Sequence, residues 1–271
     1  MAAVAGVSGG ADSLAMLALA IDAGVVVTAV HVDHGLREGS AEEADVVSDV
    51  ARRLGAAAFR SERVHVGAGP NLEARARAAR RAVLGPDAMT GHTADDQAET
   101  VLLNLLRGAG VDGLGAMRAG PAKPILALRR AETRALCVER GFTVVADPSN
   151  DDLALRRNRI RHEVLPLLDA VAERDVAALL ARTASLAAAD DALLDAMAAT
   201  IDVNDARGLA AAPPPLARRA VRAWLTCDGH PPDAAAVERV LAVARGDTVA
   251  CEIASGRRVR RTQQRLVLCT P

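Results

Sequence analysis

The stretch VSGGADSLAML, Val7–Leu17, places two adjacent glycines between a short apolar run and an amphipathic helix. A glycine-rich turn from a strand into a helix lets backbone N–H groups approach an anion, and the helix dipole favours negative charge there. Asp12 lies beside this turn, where a Mg²⁺ ion can bridge a carboxylate to phosphate oxygens. The stretch predicts a phosphate-binding loop; the alternative is a tight structural turn with incidental capping residues.

The glycine spacing excludes two common phosphate loops. A Walker loop requires GxxxxGK[ST], and the one lysine of the chain, Lys123, is far from the glycines. The dinucleotide fingerprint requires GxGxxG, which Gly6, Gly9 and Gly10 do not provide. The remaining pattern is SGGxDS, which consists of Ser8, Gly9, Gly10, Ala11, Asp12 and Ser13.

The first half of the chain alternates strand-like and helical patterns. Val25–Val32 is a continuous β-branched run, typical of a strand buried on both faces of a parallel sheet. We expect a doubly wound, Rossmann-like α/β domain over residues 1–150, with a last strand at Thr143–Ala146. Ser40 with Glu43, and Asn71, are predicted helix caps.

Strand patterns are absent between about residue 150 and Thr248. Residues 151–271 are therefore expected to form a smaller, mainly helical domain. Pro166 is expected to kink or end its first helix. The tail from Thr248 to Cys269 is expected to form a short β-meander.

Composition limits the classes of function. The net charge of −1 over 271 residues excludes a polybasic nucleic-acid binder. Arginine supplies nearly all the positive charge, so arginine clusters are weak signals here, and Lys123 is interpreted as a surface residue. Four cysteines without CxxC spacing predict no disulfide framework or metal cluster. No apolar run is long enough to span a membrane, so we expect a cytoplasmic protein.

Two further groups of polar residues lie where ligands bind in α/β sheets. Asp33, His34 and Arg37 follow a predicted buried strand, at the carboxyl edge of the sheet. His92 precedes a helix whose first turns carry Asp96 and Glu99, three residues apart. Helix capping would explain one of these carboxylates, but not a histidine together with both.

Arginines in the second half follow a helical pattern. Arg157 and Arg161 are one turn apart and share a side with the apolar residue Ile160. A solvated charge run would not place two guanidinium groups beside an apolar stripe. Their planar, permanently charged side chains suit a phosphate undergoing transfer.

These motifs resemble those of the PP-loop (N-type) ATP pyrophosphatases. Within that superfamily, HVDHGLR (31–37), GHTADDQAETVLLNLLRG (91–108) and DPSNDDLALRRNRIRHEVLP (147–166) resemble the tRNA(Ile)-lysidine synthase family, over about residues 1–200. The resemblance implies a ligase that uses ATP, Mg²⁺ and L-lysine to modify the wobble cytidine of tRNA(Ile) with a CAU anticodon.

The resemblance also implies roles for individual residues. It places Ser8, Gly9, Gly10, Ala11, Asp12, Ser13 and His34 in the ATP site. It assigns Asp12 and Asp96 to Mg²⁺. The catalytic residues that it implies are Asp12, His92, Asp96, Glu99, Asn150, Arg157 and Arg161.

Two other functions remain open at this stage. A tRNA thiolase on the same fold would adenylate a base for sulfur transfer, but would need paired cysteines or a cluster. A non-catalytic adenine-nucleotide sensor would keep the glycine loop without turnover, although the retained carboxylates and arginines argue against a dead site. The sequence leaves open whether the protein is a homodimer.

Overall fold

The computed structural model describes residues 2–33, 35, 40–65, 72–227, 230–254 and 256–269, without the side chains of residues 40–42 and 72–74. The predictions for His34, Arg37, Asn71 and the Ser40 cap lie outside this part. The chain divides into two compact units, Met1–Ala188 and Ala189–Pro271.

A parallel sheet lies at the centre of the first unit. Its strands are β1 (Ala3–Gly6), β2 (Val27–Asp33), β3 (Ala58–Arg63) and β4 (Met89–Thr90). Their order is β3-β2-β1-β4, and all three pairings are parallel. From β1 the chain continues to β2 on one side and reaches β4 later on the other. The switch point, where ligands bind in open α/β sheets, therefore lies at the carboxyl ends of β1 and β4.

Helices cover both faces of this sheet, which confirms the doubly wound fold. On one face, Leu14 and Val47 pack with Ala29 of β2 and the buried Cys137. On the other face, Leu84 packs against Val30. The helices between β1 and residue 140 are α1 (Ala11–Asp22), α2 (Ser40–Leu54), α3 (Leu72–Leu84), α4 (Ala94–Leu105), α5 (Val111–Leu114) and α6 (Arg130–Glu139).

The expected strand at Thr143–Ala146 is wrong. The segment joins no strand ladder, and its Val145 N–H donates to the Gly9 carbonyl at 3.0 Å. Gly9 has φ +84°, and a Cβ there would lie 2.6 Å from Val145 Cγ2. The apolar run therefore packs over the SGGxDS segment, Ser8–Ser13, which we call the glycine loop, instead of extending the sheet.

Helical structure after residue 150 packs onto α4. A 3₁₀ turn, Pro148–Asp151, leads to α7 (Arg156–Arg159), a π-helical turn (Ile160–Val164), α8 (Leu165–Ala172) and α9 (Val176–Ala199). Ile160 and Leu165 pack against Ala98 and Leu102 of α4. Because of this packing the first compact unit continues to Ala188, whereas the domain boundary expected after residue 150 stays a prediction.

Pro166 lies in the first turn of α8, directly after the π-helical turn. Proline lacks the N–H that an α-helix interior requires, whereas the first turn of a helix tolerates this loss. The expected interruption of the helix at Pro166 is therefore present as the π-helical turn, Ile160–Val164, that directly precedes α8.

The second unit has its own apolar core. Leu209, Val221, Val240 and Val259 are buried together in it. Three antiparallel strands, β5 (Ala250–Glu252), β6 (Arg258–Thr262) and β7 (Arg265–Cys269), pair in chain order and confirm the predicted meander. Among the described residues, no helix has the length and apolar character needed to cross a membrane. The remaining elements are α10 (Ala206–Ala211), α11 (Pro214–Leu225) and α12 (Ala234–Arg245).

Gly91 fixes the distance between β4 and the glycine loop. A Cβ at this position would lie 2.6 Å from the carbonyl oxygen of Asp12 and 2.8 Å from the amide of Ser13, both backbone atoms. We expect Gly91→Ala to lower the free energy of unfolding by about 1–3 kcal/mol, measured by urea denaturation. Gly120→Ala is the control, because a Cβ at Gly120 would contact nothing within 4 Å. Equal stability of the two variants would contradict the prediction.

Candidate active site

A cavity of about 740 Å³ opens at the switch point of the sheet. Cavities of this size hold small-molecule ligands and cofactors. Of the described residues singled out from sequence, Gly9, Asp33 and Glu99 do not line it, although neighbouring residues of each do. Those that do line it are Ser8, Gly10, Ala11, Asp12, Ser13, His92, Asp96, Asn150, Arg157 and Arg161.

The glycine loop is held closed by its own serines. Ser13 Oγ donates to the Gly10 carbonyl at 2.9 Å and accepts from the Ser8 N–H at 3.1 Å. The first residue before α1 is Gly10, which offers no side-chain cap. The free N–H groups of this helix N-terminus therefore remain available to an anion in the cavity.

Asp12 lies at the cavity edge, between the glycine loop and α6. It accepts a hydrogen bond from Thr133 Oγ1, and Arg130 Nε lies 3.5 Å from its Oδ2. Burial raises the pKa of Asp12 above its ordinary value, because the loss of solvation outweighs the stabilisation from Thr133 and Arg130. The Asp12 carboxyl, partly exposed to the cavity, is well placed to meet a cation.

Asp96 is fixed by the start of its own helix. Its Oδ2 accepts from the N–H and the hydroxyl of Thr93, both at 2.9 Å, which completes a capping box. Its Oδ1 accepts from Arg130 at 2.9 Å and Arg157 at 3.2 Å. Burial alone would raise the pKa of Asp96, but the two guanidinium charges and the Thr93 N–H hold the pKa below its ordinary value.

Glu99 is fully buried and is contacted by three arginines. Arg157 Nε donates to its Oε2 at 2.6 Å, and Arg161 Nε donates to its Oε1 at 2.7 Å. Arg130 adds two contacts at 3.2 Å. A buried charge is tolerated when it is paired and hydrogen-bonded in this way. Glu99 therefore holds α4, α6 and the segment that follows residue 155 together.

The π-helical turn places both predicted arginines on one carboxylate. Arg157 belongs to α7 and Arg161 to the π-helical turn, and the two Nε atoms approach opposite oxygens of Glu99. Ile160 lies between them in sequence and is buried against α4, in agreement with the prediction that it shares their side of the helix. Single π-helical turns of this kind are frequent at functional sites.

Sequence reasoning missed Arg130 and Thr133. Arg130 begins α6 and contacts Asp12, Asp96 and Glu99. The adjacent pair Arg129 and Arg130 is not a signal in itself, because arginine pairs are common in a chain this rich in arginine. The one available clue is that Arg130 follows the apolar run at Ile125–Leu128 and begins a helix.

His92 lines the cavity and lies beside Lys123 and Thr90. Lys123 Nζ and Thr90 Oγ1 lie 3.3 Å and 2.9 Å from His92 Nδ1. The interpretation of Lys123 as a surface residue is therefore wrong: its chain is half-buried. Burial and the neighbouring charges of Lys123 and Arg157 lower the pKa of His92 to about 4. An ammonium group can only donate, so Nδ1 accepts and the neutral ring donates from Nε2.

Asn150 lies in the 3₁₀ turn at the cavity rim, where its carbonyl is 3.1 Å from His162 Nε2. Asp147 begins the turn by accepting from the Ser149 N–H at 3.0 Å. Buried Asn158, which the sequence did not single out, donates to the Ser149 carbonyl at 2.7 Å. These contacts position the rim, and the amide of Asn150 is free to meet a ligand.

The described residues contain no group of three or more histidine, cysteine, aspartate or glutamate side chains arranged to hold a metal ion. Asp12 retains a partly exposed carboxylate, whereas both oxygens of Asp96 are occupied by Thr93 and arginines. A Mg²⁺ ion that shares its ligands with phosphates needs one or two carboxylates, and Asp12 fits this requirement better than Asp96.

Comparisons with known proteins agree with this geometry. Residues 2–168 match the PP-loop domain family ATP_bind_3, and residues 205–267 match the TilS substrate binding domain. A tRNA(Ile)-lysidine synthase from Nocardia farcinica is 47% identical, over 82% of this chain and 74% of that protein. The chain belongs to the tRNA(Ile)-lysidine synthase family. The enzyme of the same name from Mycobacterium tuberculosis is 42% identical, over 83% of this chain and 75% of that protein.

A solved structure shares the fold of this family member. The U34-tRNA thiolase NcsA from Methanococcus maripaludis, with its [4Fe-4S] cluster, superposes with a TM-score of 0.53 at 18% identity. The superposition covers 68% of this chain and 71% of that one. At this identity the likeness concerns the PP-loop fold alone.

Glu99→Gln tests the central ion cluster. The substitution keeps the shape of the side chain but leaves three guanidinium groups without their shared anion. We expect the free energy of unfolding to fall by about 3–5 kcal/mol, measured by chemical denaturation. Glu163→Gln is the matched control, because Glu163 is exposed and its one ion pair with a described residue is the surface pair with Arg159 at 3.0 Å. Loss of this pair should cost less than about 0.5 kcal/mol. A similar small loss in both variants would refute the role of Glu99.

The lowered pKa of His92 predicts a pH dependence of stability. Between pH 6.5 and about 4 the unfolded chain binds a proton that the folded chain does not. The free energy of unfolding should therefore fall as the pH falls through this range, by roughly 1–3 kcal/mol for this residue. His92→Gln should show a shallower slope than the wild type over this range. Identical slopes in the two proteins would contradict the assignment.

Proposed function

We propose that this protein is an ATP-dependent carbon–nitrogen ligase that forms lysidine at the wobble cytidine of tRNA(Ile) with a CAU anticodon. One observation carries the proposal: a single cavity brings together an SGGxDS loop, the Asp12 carboxylate and the paired Arg157 and Arg161. Family membership adds the substrate, because the named relatives are tRNA(Ile)-lysidine synthases.

The proposed reaction has two steps. The 2-carbonyl oxygen of the cytidine attacks the α-phosphorus of ATP, and the bond to pyrophosphate breaks. The ε-amine of L-lysine then attacks C2 of the base, the bond to AMP breaks, and the amine loses a proton. The product base pairs with A instead of G, so the tRNA reads AUA as isoleucine.

The glycine loop is suited to the leaving pyrophosphate. Residues Ser8–Ser13 would bind phosphate oxygens through backbone N–H groups at the start of α1. Arg80, Arg157 and Arg161, which line the cavity, would neutralise charge that grows during transfer, and Lys123 beside His92 would add to this. Burial and the charge of Arg77 lower the pKa of Arg80 and of Lys123, so a bound anion would stabilise the charged form of both.

Asp96 and Glu99 are the proposed acidic partners of lysine. Their charges, with that of Asp12, are balanced by Arg130, Arg157 and Arg161. An incoming ammonium therefore competes with guanidinium groups unless phosphates attract the arginines first. The lysine amine, with an ordinary pKa of about 10.4, must also lose a proton before it attacks. We propose that either Asp96 or Glu99 accepts that proton.

A Mg²⁺ ion would be held by Asp12 together with phosphate oxygens, and it would neutralise the pyrophosphate as it leaves. Asp96 would join it only after its Oδ1 releases Arg130 and Arg157. His92, as a neutral donor from Nε2, would bind a phosphate oxygen, and the Asn150 amide would contact the ligand from the rim. His34 remains a proposed ATP ligand.

The second unit is proposed to contribute to tRNA binding, since it contains the TilS substrate binding domain match. Two of its arginines are already paired: Arg219 contacts Asp191 and Asp195 at 2.7 Å, and Arg218 contacts Glu238 at 2.6 Å. Recognition would rest on phosphate contacts and shape. We also propose that the protein is cytoplasmic and forms a homodimer.

The rival thiolase function needs cysteine chemistry in the cavity unit. A [4Fe–4S] cluster is held by cysteine thiolates. Cys137 is the one cysteine of the first unit; it is buried, its Sγ lies 3.4 Å from the Ala11 carbonyl, and burial raises its pKa. Raised pKa and burial are typical of a structural thiol. This environment favours the ligase.

The assay uses α-labelled ATP, Mg²⁺, radiolabelled lysine and an unmodified tRNA(Ile) transcript with CAU. We expect lysine label in the tRNA, together with AMP and pyrophosphate. Asp12→Asn should lower the rate by at least about 10²-fold, because it removes a charge beside the transferred phosphate. Asp22→Asn is the matched control from the same helix, since Asp22 forms a surface pair with Arg140 at 2.6 Å.

Other outcomes of the assay separate the alternatives. Adenylated tRNA that does not respond to lysine would exclude the ligase and point to another nucleophile. Loss of activity when all four cysteines are replaced by serine would revive the thiolase. ATP binding without any pyrophosphate release would favour the nucleotide sensor.

A further inference from the structure

Helix α9 (Val176–Ala199) buries one of its faces and leaves the other exposed. On the buried face, Ala177 and Leu180 pack with Ala98 of α4. The opposite face carries four large apolar side chains, which are 41% to 61% exposed. They are Leu179, Leu186, Leu193 and Met197. The mechanism proposed above does not use this face.

The exposed leucines of α9 repeat every seven residues. Two turns of an α-helix contain about seven residues, so Leu179, Leu186 and Leu193 form one stripe along the helix. This spacing is the pattern with which one helix packs along another. A helix that is apolar on both sides is typical of a buried position in globular proteins. The stripe therefore indicates a surface that a partner covers.

The few charges of α9 restrict the kind of partner. Two of its four charged residues, Asp191 and Asp195, pair with Arg219 at 2.7 Å. The other two, Arg182 and Asp190, are exposed and form no ion pair with a described residue. The exposed face thus has one charge of each sign. A nucleic-acid backbone would require an excess of cations, so this face suits a protein partner.

The exposed face of α9 is complementary to itself. Arg182 and Asp190 lie four residues on either side of Leu186, and Leu179 and Leu193 lie seven residues on either side. When a second α9 packs antiparallel about a twofold axis at Leu186, Arg182 of each copy faces Asp190 of the other. Leu179 of each copy likewise faces Leu193 of the other. A twofold interface requires this property, because every contact in it occurs twice.

We propose that α9 is the interface of a homodimer, in which two copies of the chain pack antiparallel along the stripe from Leu179 to Leu193. The leucines supply the apolar contact, and the pairs between Arg182 and Asp190 fix the antiparallel register. The small side chains of exposed alanines between the leucines, such as Ala189, allow the helices to approach closely. The inference names the surface of the homodimer proposed above and does not depend on the ligase reaction.

Sedimentation of the full chain over a range of concentrations tests the interface. We expect the wild type to dimerise. Leu186→Glu should weaken dimerisation by at least about 30-fold, because it places two carboxylates against each other at the axis. Leu167→Glu is the matched control, since Leu167 of α8 is 61% exposed, as Leu193 is, and lies outside the stripe. The control should dimerise like the wild type.

Charge reversal tests the antiparallel register. Arg182→Asp and Asp190→Arg each place like charges opposite each other twice, so each variant alone should dimerise about tenfold more weakly than the wild type. An equimolar mixture of the two variants should associate as strongly as the wild type, because every contact between the two different chains then joins opposite charges. A mixture that stays as weak as the single variants would overturn the register.

The outcomes separate this inference from the proposals made above. If the wild type dimerises and Leu186→Glu dimerises equally well, the interface lies elsewhere; the inference fails while the homodimer proposal stands. If the wild type is a monomer at every concentration, both fail. A monomer that binds tRNA(Ile) more weakly after Leu186→Glu would assign the face to tRNA instead. None of these results changes the ligase proposal, whose assay measures lysine transfer.

Discussion

The arrangement of the cavity depends on one carboxylate that has no contact with water. Glu99 needs compensating charge, and it obtains this from arginines on α6 and on the segment around the π-helical turn. Because the free-energy cost of an unpaired buried charge is several kcal/mol, the three segments cannot separate without exposing it. The same pairing that stabilises the fold therefore holds the arginines where a phosphate would meet them.

Sequence reasoning succeeded where the signal is local. The glycine loop, the helix that carries Asp96 and Glu99, and the shared side of Arg157 and Arg161 follow from spacing within one turn or one strand–helix junction. It failed where a residue acts across the fold. Arg130 and Lys123 acquire their partners from elements distant in sequence, and neither periodicity nor composition encodes those contacts.

The expected strand at Thr143–Ala146 failed for a related reason. An apolar β-branched run predicts burial in a strand, and Val145 is packed, but its neighbour is the glycine loop and not another strand. Only the bare backbone of Gly9 leaves room for that contact. The segment thus became part of the cavity wall, and the polar residues that follow it are brought to the rim.

The distribution of aromatic residues has a practical consequence. The chain has one tryptophan, Trp224, and no tyrosine, and Trp224 packs against the core of the second unit. Intrinsic fluorescence therefore originates in that unit. The nucleotide-binding unit, which has two phenylalanines and no tryptophan or tyrosine, contributes almost no fluorescence. A nucleotide that stabilises the nucleotide-binding unit will shift the unfolding midpoint detected by tryptophan fluorescence only if both units unfold together. The fluorescence of Trp224 therefore reports whether the two units unfold cooperatively.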